Sequence, residues 1–323
     1  MLCLSKKITA IAASAALVFG TLCFSANAAA PEEDFIISGD HITGYNGDGG
    51  DVTIPDGIIG IDDSAFMQND NITNLVIPEG CTKIGMSAFS YCSGLKTVTF
   101  EGDMEEIGMM SFLGCPDLEI VTFKGSITAS DENDLNSGLS SNAFMGCRNL
   151  KTVEFAENSR IDIIKRAAFM DCENLTEVKL PKDVGMICEF VFTNCPELTT
   201  LEIPSMTELE DLAVGYMYDE NTEESVKADG KASVQASLVF DYDDPAAYIE
   251  AVVQKPITLI VAENSPAEKY AKENGIAYEY KTTAEVESPA EENPQTGGND
   301  LTSICFTALF SLSLILFANK KTA

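Results

Sequence analysis

Residues Ile84 to Phe100, IGMSAFSYCSGLKTVTF, decide the reading of this chain. Counted from Phe89, a Cys, a Leu, a Val and a Phe follow at offsets of three, six, nine and eleven, and Ile84 stands five residues before it. The spacing recurs around Phe66, Phe112, Phe144, Phe169 and Phe192, with successive Phe positions 23, 23, 32, 25 and 23 residues apart. Five apolar columns line up over six units. One holds Ile61, Ile84, Ile107, Leu139, Ile164 and Ile187, and another holds Ile77, Phe100, Phe123, Phe155, Leu180 and Ile203. A fixed period of this length marks a repeat array, so the 323 residues need not divide into two ordinary domains.

Within each unit the run from Leu to Phe, such as Leu95 to Phe100, alternates apolar with polar and is rich in β-formers. It is the expected strand. The Ala-Phe segment is expected to make a short helical turn or bend on the other side of the coil. One unit buries too little apolar surface to offset the entropy of ordering it, so neighbours must share a core and a hydrogen-bonded ladder. The expected fold is a β-rich repeat solenoid over residues 61–207. A β-hairpin cap over 31–60 and a C-terminal αβ cap over 257–280 should close its ends.

The pattern Ile-Gly-x-x-x-Ala-Phe-x-x-Cys-x-x-Leu-x-x-Val-x-Phe resembles the BspA-type leucine-rich repeat of bacterial surface proteins, over about residues 35 to 280. Departures occur at Asn69 in the Cys column, at Ser111 and Val191 in the Ala column, and at Cys188 in the Gly column. The resemblance implies adhesion to a host or matrix protein, or to neighbouring cells.

Outside the array, Phe35-Ile36-Ile37 and Val52-Thr53-Ile54 read as strands, with His41 to Tyr45 between them. Asn46 to Gly50 supplies the turn residues of the expected hairpin. The run from Ile127 to Gly138 accounts for the long spacing between Phe112 and Phe144 and should bulge from one edge. Its Asp131, Glu132 and Asp134 lack the order of a calcium loop, so a solvated loop is the reading. From Glu208 to Pro256 the pattern fades into an irregular acidic insert. Ile257 to Val261 then reads as strand, Ser265 to Asn274 as helix and Ile276 to Tyr280 as strand. Ser265 and Glu268 make a capping box, Pro266 takes the first helical position and Gly275 follows the end.

Both ends carry addresses. Lys6 and Lys7, the apolar run Ile8 to Leu22, and Ala26-Asn27-Ala28 compose a secretory signal over residues 1–28. At the other end an acidic tether, 281–296, leads into Asn293-Pro294-Gln295-Thr296-Gly297, the apolar run Leu301 to Ala318, and Lys320-Lys321. This 293–323 segment resembles a Gram-positive sortase sorting signal, which implies cleavage between Thr296 and Gly297 and linkage of Thr296 to peptidoglycan. Its motif departs from LPxTG at Asn293 and from NPQTN at Gly297. The plainer alternative is a membrane anchor through Leu301–Ala318 held by the two lysines. The expected location is the Gram-positive cell wall, with membrane contact only before processing.

Twenty basic against 51 acidic residues give a net charge of −31. Such a surface repels nucleic acid and anionic headgroups. No close cysteine pairs suggest a metal site, and Cys92, Cys115, Cys147, Cys172 and Cys195 share one column, where reduced, buried thiols are expected. His41 is the only histidine. With no nucleophile motif near it, no enzyme and no cofactor is expected. Binding has better material in the outward strand positions: Lys96, Thr97, Thr99, Thr122, Lys151, Thr152, Glu154, Thr176, Glu177, Lys179, Thr199 and Thr200. A solvated sheet face would look similar. Three readings stand: a module binding a protein or other cell-surface macromolecule, a passive spacer in the envelope, or a glycan binder around Tyr216, Tyr218 and Tyr242.

Overall fold

The computed structural model describes residues 32–129, 137–218 and 252–281. The expected signal segment 1–28, residues 130–136, most of the expected acidic insert, and the expected tether and sorting segment beyond Lys281 lie outside the described residues. Contacts divide the chain into one unit ending at Lys281 and a second covering 282–323.

The repeat is a solenoid, as the columns require, and it has two parallel sheets where the sequence showed one. Five of the six expected repeat strands, joined by Gly50–Thr53 from the expected hairpin, form a six-stranded sheet: Gly50–Thr53, Ile72–Ile77, Thr97–Phe100, Ile120–Phe123, Thr152–Phe155 and Glu177–Lys179; the sixth, Thr200–Glu202, pairs elsewhere. Its register matches Val98 with Val121 and Val121 with Val153, so each column stays in phase from coil to coil. A nine-stranded sheet runs along a second side. After the hairpin strands it is built from short strands that carry Ile61, Ile84, Ile107, Leu139, Ile164, Ile187 and Leu209.

Between the sheets lies one core. Phe89, Cys92, Leu95, Val98 and Phe100 are all fully buried, and so are their counterparts around Phe112. Two aromatic ladders run through it. Phe66, Phe89, Phe112, Phe144, Phe169 and Phe192 stack in order, with centroids 4.7 to 5.7 Å apart. Phe100, Phe123 and Phe155 form a shorter stack at 4.6 Å. The first ladder ends because Val214, also buried, takes the ring position in the next coil.

The Ala-Phe corner is a chain of turns rather than a helix. Its two bends place the residues two before and two after each Phe in the left-handed region: Ser87 and Tyr91 around Phe89, Ala167 and Asp171 around Phe169, Phe190 and Asn194 around Phe192. Each such non-Gly residue costs about 1–2 kcal/mol. A main-chain ladder offsets it, with Phe89 N–H donating to Ser111 O at 2.7 Å and Phe112 N–H to Ala143 O at 2.8 Å.

The Cys column completes the corner. Cys92 Sγ donates to Phe66 O, Cys115 Sγ to Phe89 O and Cys147 Sγ to Phe112 O, each at 3.2 Å. A cysteine therefore serves both as a small buried hydrophobe and as a donor to the coil before it. Seven cysteines of the described residues are free and buried. Burial pushes the Cys81 thiol up to about 12 and holds those of Cys115 and Cys172 well above their ordinary value.

The hairpin differs from expectation. Phe35–Ser38 pairs antiparallel with His41–Tyr45, turning at Gly39 and Asp40, while Gly50–Thr53 belongs to the six-stranded sheet. Asn46 to Gly50 therefore carries the chain from one sheet to the other, with Gly49 and Gly50 at φ 88° and 80°. The repeat also persists past Glu208: Glu208–Leu209 pairs with Asp183–Ile187, and Phe192 N–H donates to Ala213 O at 3.1 Å. Tyr216–Tyr218 then pairs antiparallel with Val252–Gln254, so the insert springs from a two-stranded base.

The C-terminal unit follows the sequence. The helix Pro266–Asn274 starts at Ser265, whose Oγ accepts the Glu268 N–H at 3.1 Å, and ends at left-handed Gly275. Thr200–Glu202, Thr258–Val261 and Ala277–Tyr280 make a separate three-stranded parallel sheet. Among the described residues no helix is long and apolar enough to cross a membrane.

Candidate interaction face

Because strand side chains alternate, the inward Val and Phe columns leave the residues between them pointing out of the six-stranded sheet. One outward column is Asn74, Thr97, Ile120, Thr152 and Glu177; the next is Val76, Thr99, Thr122, Glu154 and Lys179. The structure thus sets ten of the twelve candidates on this sheet or its approach, including Lys96, Lys151 and Thr176 at the strand entrances. Thr199 and Thr200 do not join them, since their strand belongs to the C-terminal sheet.

Most charges on the face are paired between coils. Lys151 Nζ sits 2.8 Å from Glu119 Oε2, and Lys179 bonds Glu154 and lies 3.3 Å from Glu177. Lys124 holds Glu101 and Lys182 holds Glu157, each at 2.7 Å, along the edge. Hydrogen bonds from Lys151 and Lys182 hold the Glu119 and Glu157 carboxyls below their ordinary range, and the bond to Glu154 raises Lys179. Thr97 Oγ1 donates to Asn74 Oδ1 at 2.7 Å, and Asn74 in turn donates to Asp51. Exposed pairs of this kind add little stability individually. Their effect is to fix side-chain positions, which lowers the entropy lost when a partner docks.

Ile120 stands apart. It is 41 % exposed in the middle of a polar column, between Thr97 and Thr152 in register. Lys96, exposed beside it, makes no ion pair among the described residues. The signal was present in the sequence as a lone aliphatic residue among Thr and charged neighbours, and a search for polar candidates passes over it.

His41 lies in the nine-stranded sheet. Its Nδ1 is 2.8 Å from Asp62 Oδ1, and its ring covers Gly60, where a Cβ would come within 2.6 Å of Cε1. A shallow cavity of about 400 Å³ opens there, lined by His41, Ile61, Asp62, Asp63, Lys83, Gly85 and Glu106. No Ser, Thr or Cys lines it, so the His–Asp pair has no nucleophile within the cavity. Among the described residues no group of His, Cys, Asp or Glu is placed to hold a metal.

The model of the BspA type leucine-rich repeat region matches residues 50–137 and 137–219, in six copies. The chain belongs to the BspA-type leucine-rich-repeat family. No curated protein sequence matches. Among solved structures it is similar to a leucine-rich repeat protein from Eubacterium ventriosum, at 25% identity over 54% of this chain and 45% of that one, with a TM-score of 0.43. It is also similar to one from Bacteroides ovatus, at 24% identity over 49% and 38%, with a TM-score of 0.42. The T. pallidum leucine rich repeat protein aligns over 64% of this chain and 97% of its own, at 19% identity and a TM-score of 0.38. The chain spans less than half the length of the first two relatives. Membership of this family suggests a module that binds protein.

Proposed function

We propose that this BspA-type protein is secreted, attached to a Gram-positive cell wall, and binds a protein of a host, matrix or neighbouring cell through its six-stranded sheet. The observation that carries the reading is the outward face around Ile120, an exposed aliphatic residue on a rigid sheet whose flanking charges are braced coil to coil. Interfaces concentrate their energy in a few apolar anchors ringed by polar contacts. Lys96, Thr97, Thr99, Thr122, Lys151, Thr152 and Glu154 compose that ring. Binding of the full-length chain to a panel of purified extracellular-matrix proteins tests it. Saturable binding to at least one protein, weakened by Ile120→Asp without a change in melting temperature, is the expected result. Binding indifferent to Ile120→Asp would contradict it.

Secretion by the signal over 1–28 and wall linkage through Asn293, Pro294, Gln295, Thr296 and Gly297 belong to the same proposal. Replacing Thr296 with Ala should move the protein out of the peptidoglycan fraction, and its retention there would refute the sorting claim. The spacer reading is the outcome if no panel member binds saturably. The glycan reading is weakened at Tyr216, whose hydroxyl donates to Asn274 Oδ1 at 2.9 Å and is tied into the C-terminal unit. Tyr242 lies outside the described residues.

A further inference from the structure

The corner of the first three coils is a second surface with a composition of its own. Six of the eleven methionines, Met67, Met86, Met109, Met110, Met145 and Met170, lie on the corners. Met104 is the one methionine of the main core. In the first three coils they sit close to solvent. Met67 is 41 % exposed, Met86 37 % and Tyr91 38 %, while Met109, Met110 and Leu113 are half-buried beside them. The corner ladder stacks the backbones that carry these side chains in adjacent coils: Ser64 N–H donates to Met86 O at 2.9 Å, Ser87 N–H to Met109 O at 3.0 Å, and Tyr91 N–H to Leu113 O at 2.8 Å. Flexible, polarisable Met side chains suit a surface that adapts to an apolar partner.

Charge narrows the partner. Residues 62–71, 85–95 and 108–118, which make these three corners, contain Asp62, Asp63, Asp70 and Asp117 and no Lys or Arg. All four carboxylates are exposed. The cavity at His41 adjoins the same corner, since Gly85 on its wall precedes Met86, and Met86 N–H donates to Asp63 Oδ1 at 2.7 Å. Asp62, Asp63 and Glu106 outnumber Lys83 around it.

We infer that the corner of coils one to three docks a basic amphipathic peptide segment of a partner protein, its apolar side chains on Met67, Met86 and Tyr91 and one Lys or Arg side chain in the His41 cavity. This is a helix-on-apolar-surface mode of recognition, with carboxylates selecting the cationic flank. It uses none of the residues of the six-stranded face, so either surface can fail without the other.

The chain has no tryptophan and one histidine, which makes the test clean. A Leu/Lys amphipathic peptide carrying one Trp is titrated with the full-length protein. Its indole emission reports contact, and the single His41 ring resonance reports occupation of the cavity. The expected result is saturable binding with a shift of that resonance, and none with a Leu/Glu or a Lys/Ser peptide at the same concentrations. The double variant Met67→Ser, Met86→Ser should weaken binding about five- to tenfold, with melting unchanged because both side chains are exposed. Met206→Ser, at a methionine remote in sequence and 78 % exposed, should bind as wild type. Equal binding of the Lys/Ser peptide, wild-type affinity in the double variant, or an unmoved His41 resonance would each overturn the inference.

Discussion

Phe112 offers a test of the stacked core. It is fully buried and touches three other rings: Phe89 at 5.0 Å and Phe144 at 4.9 Å, both stacked, and Phe100 edge-on at 6.0 Å. Phe192 is equally buried, but among the described residues it stacks only on Phe169, at 5.7 Å. Replacing either by Leu loses a comparable amount of packing, so the difference between the two variants isolates the ring contacts. Aromatic pairs contribute about 0.5–1.5 kcal/mol each beyond their buried area. Two extra pairs at Phe112 make Phe112→Leu about 1–3 kcal/mol more costly than Phe192→Leu. For a domain of this size 1 kcal/mol moves the melting temperature by about 2–4 °C, so the two variants should differ by about 2–12 °C. Scanning calorimetry reads this directly. Equal shifts, or the larger shift at Phe192, would show that the rings act as separate hydrophobes and not as a ladder.

Ser64, exposed with φ 58°, should gain from Gly. Relief of about 1–2 kcal/mol of left-handed strain outweighs the ~0.5–1 kcal/mol entropy cost of Gly, so a thermal melt should rise for Ser64→Gly, and a fall would contradict the corner geometry. The seven buried thiols should resist alkylation in the folded protein and react fully once it is unfolded, as mass spectrometry would show. Alkylation-resistant thiols after unfolding would mean bridged pairs and refute the thiol-to-carbonyl bonds. Glu268 is held down to about 2 by hydrogen bonds from Lys272, Tyr280 and the Asn264 N–H. A depressed carboxyl stabilises the fold above its ordinary range and ceases to do so as pH falls through about 2. Glu268→Gln should therefore melt below wild type near neutral pH and converge with it toward pH 2. A gap independent of pH would show that the carboxylate charge is not what holds the cap.

The core was legible because burial is periodic. The inward columns repeat apolar residues at fixed offsets, and misreadings there are confined to Val178 and Leu180, which are only partly buried. The second sheet was not legible, because strands such as Lys83–Ile84 and Glu106–Ile107 are too short to show alternation. Nor were the corners, whose left-handed positions are filled by Ser, Gln, Tyr, Met, Asn, Ala, Asp, Phe and Leu, with Gly only at Gly114 and Gly146. There the inter-coil ladder sets the backbone, and local propensity gives no signal. The hairpin was misplaced because Asn46 to Gly50 has stronger turn chemistry than Gly39-Asp40. The pattern fades from Glu208 in the sequence because Val214 stands where the column predicts Phe. The donor role of the cysteines became visible only with the neighbouring Phe carbonyls in place.

The candidate face divides in the same way. Its outward columns follow from strand alternation and were readable residue by residue. Pairing between Lys151 and Glu119 or between Lys179 and Glu154 depends on which coil lies beside which, and so on the exact length of each repeat. The separation of Thr199 and Thr200 from the main sheet has the same origin.

The most direct test of the central claim is site-specific photocrosslinking on intact cells. A photoreactive phenylalanine analogue at Ile120 should yield a discrete, saturable adduct with a cell-surface or matrix protein. The same group at exposed Asn158, off the outward face, should yield none. Adducts of equal yield from both positions, or none from Ile120, would contradict the assignment of the six-stranded sheet as the binding face.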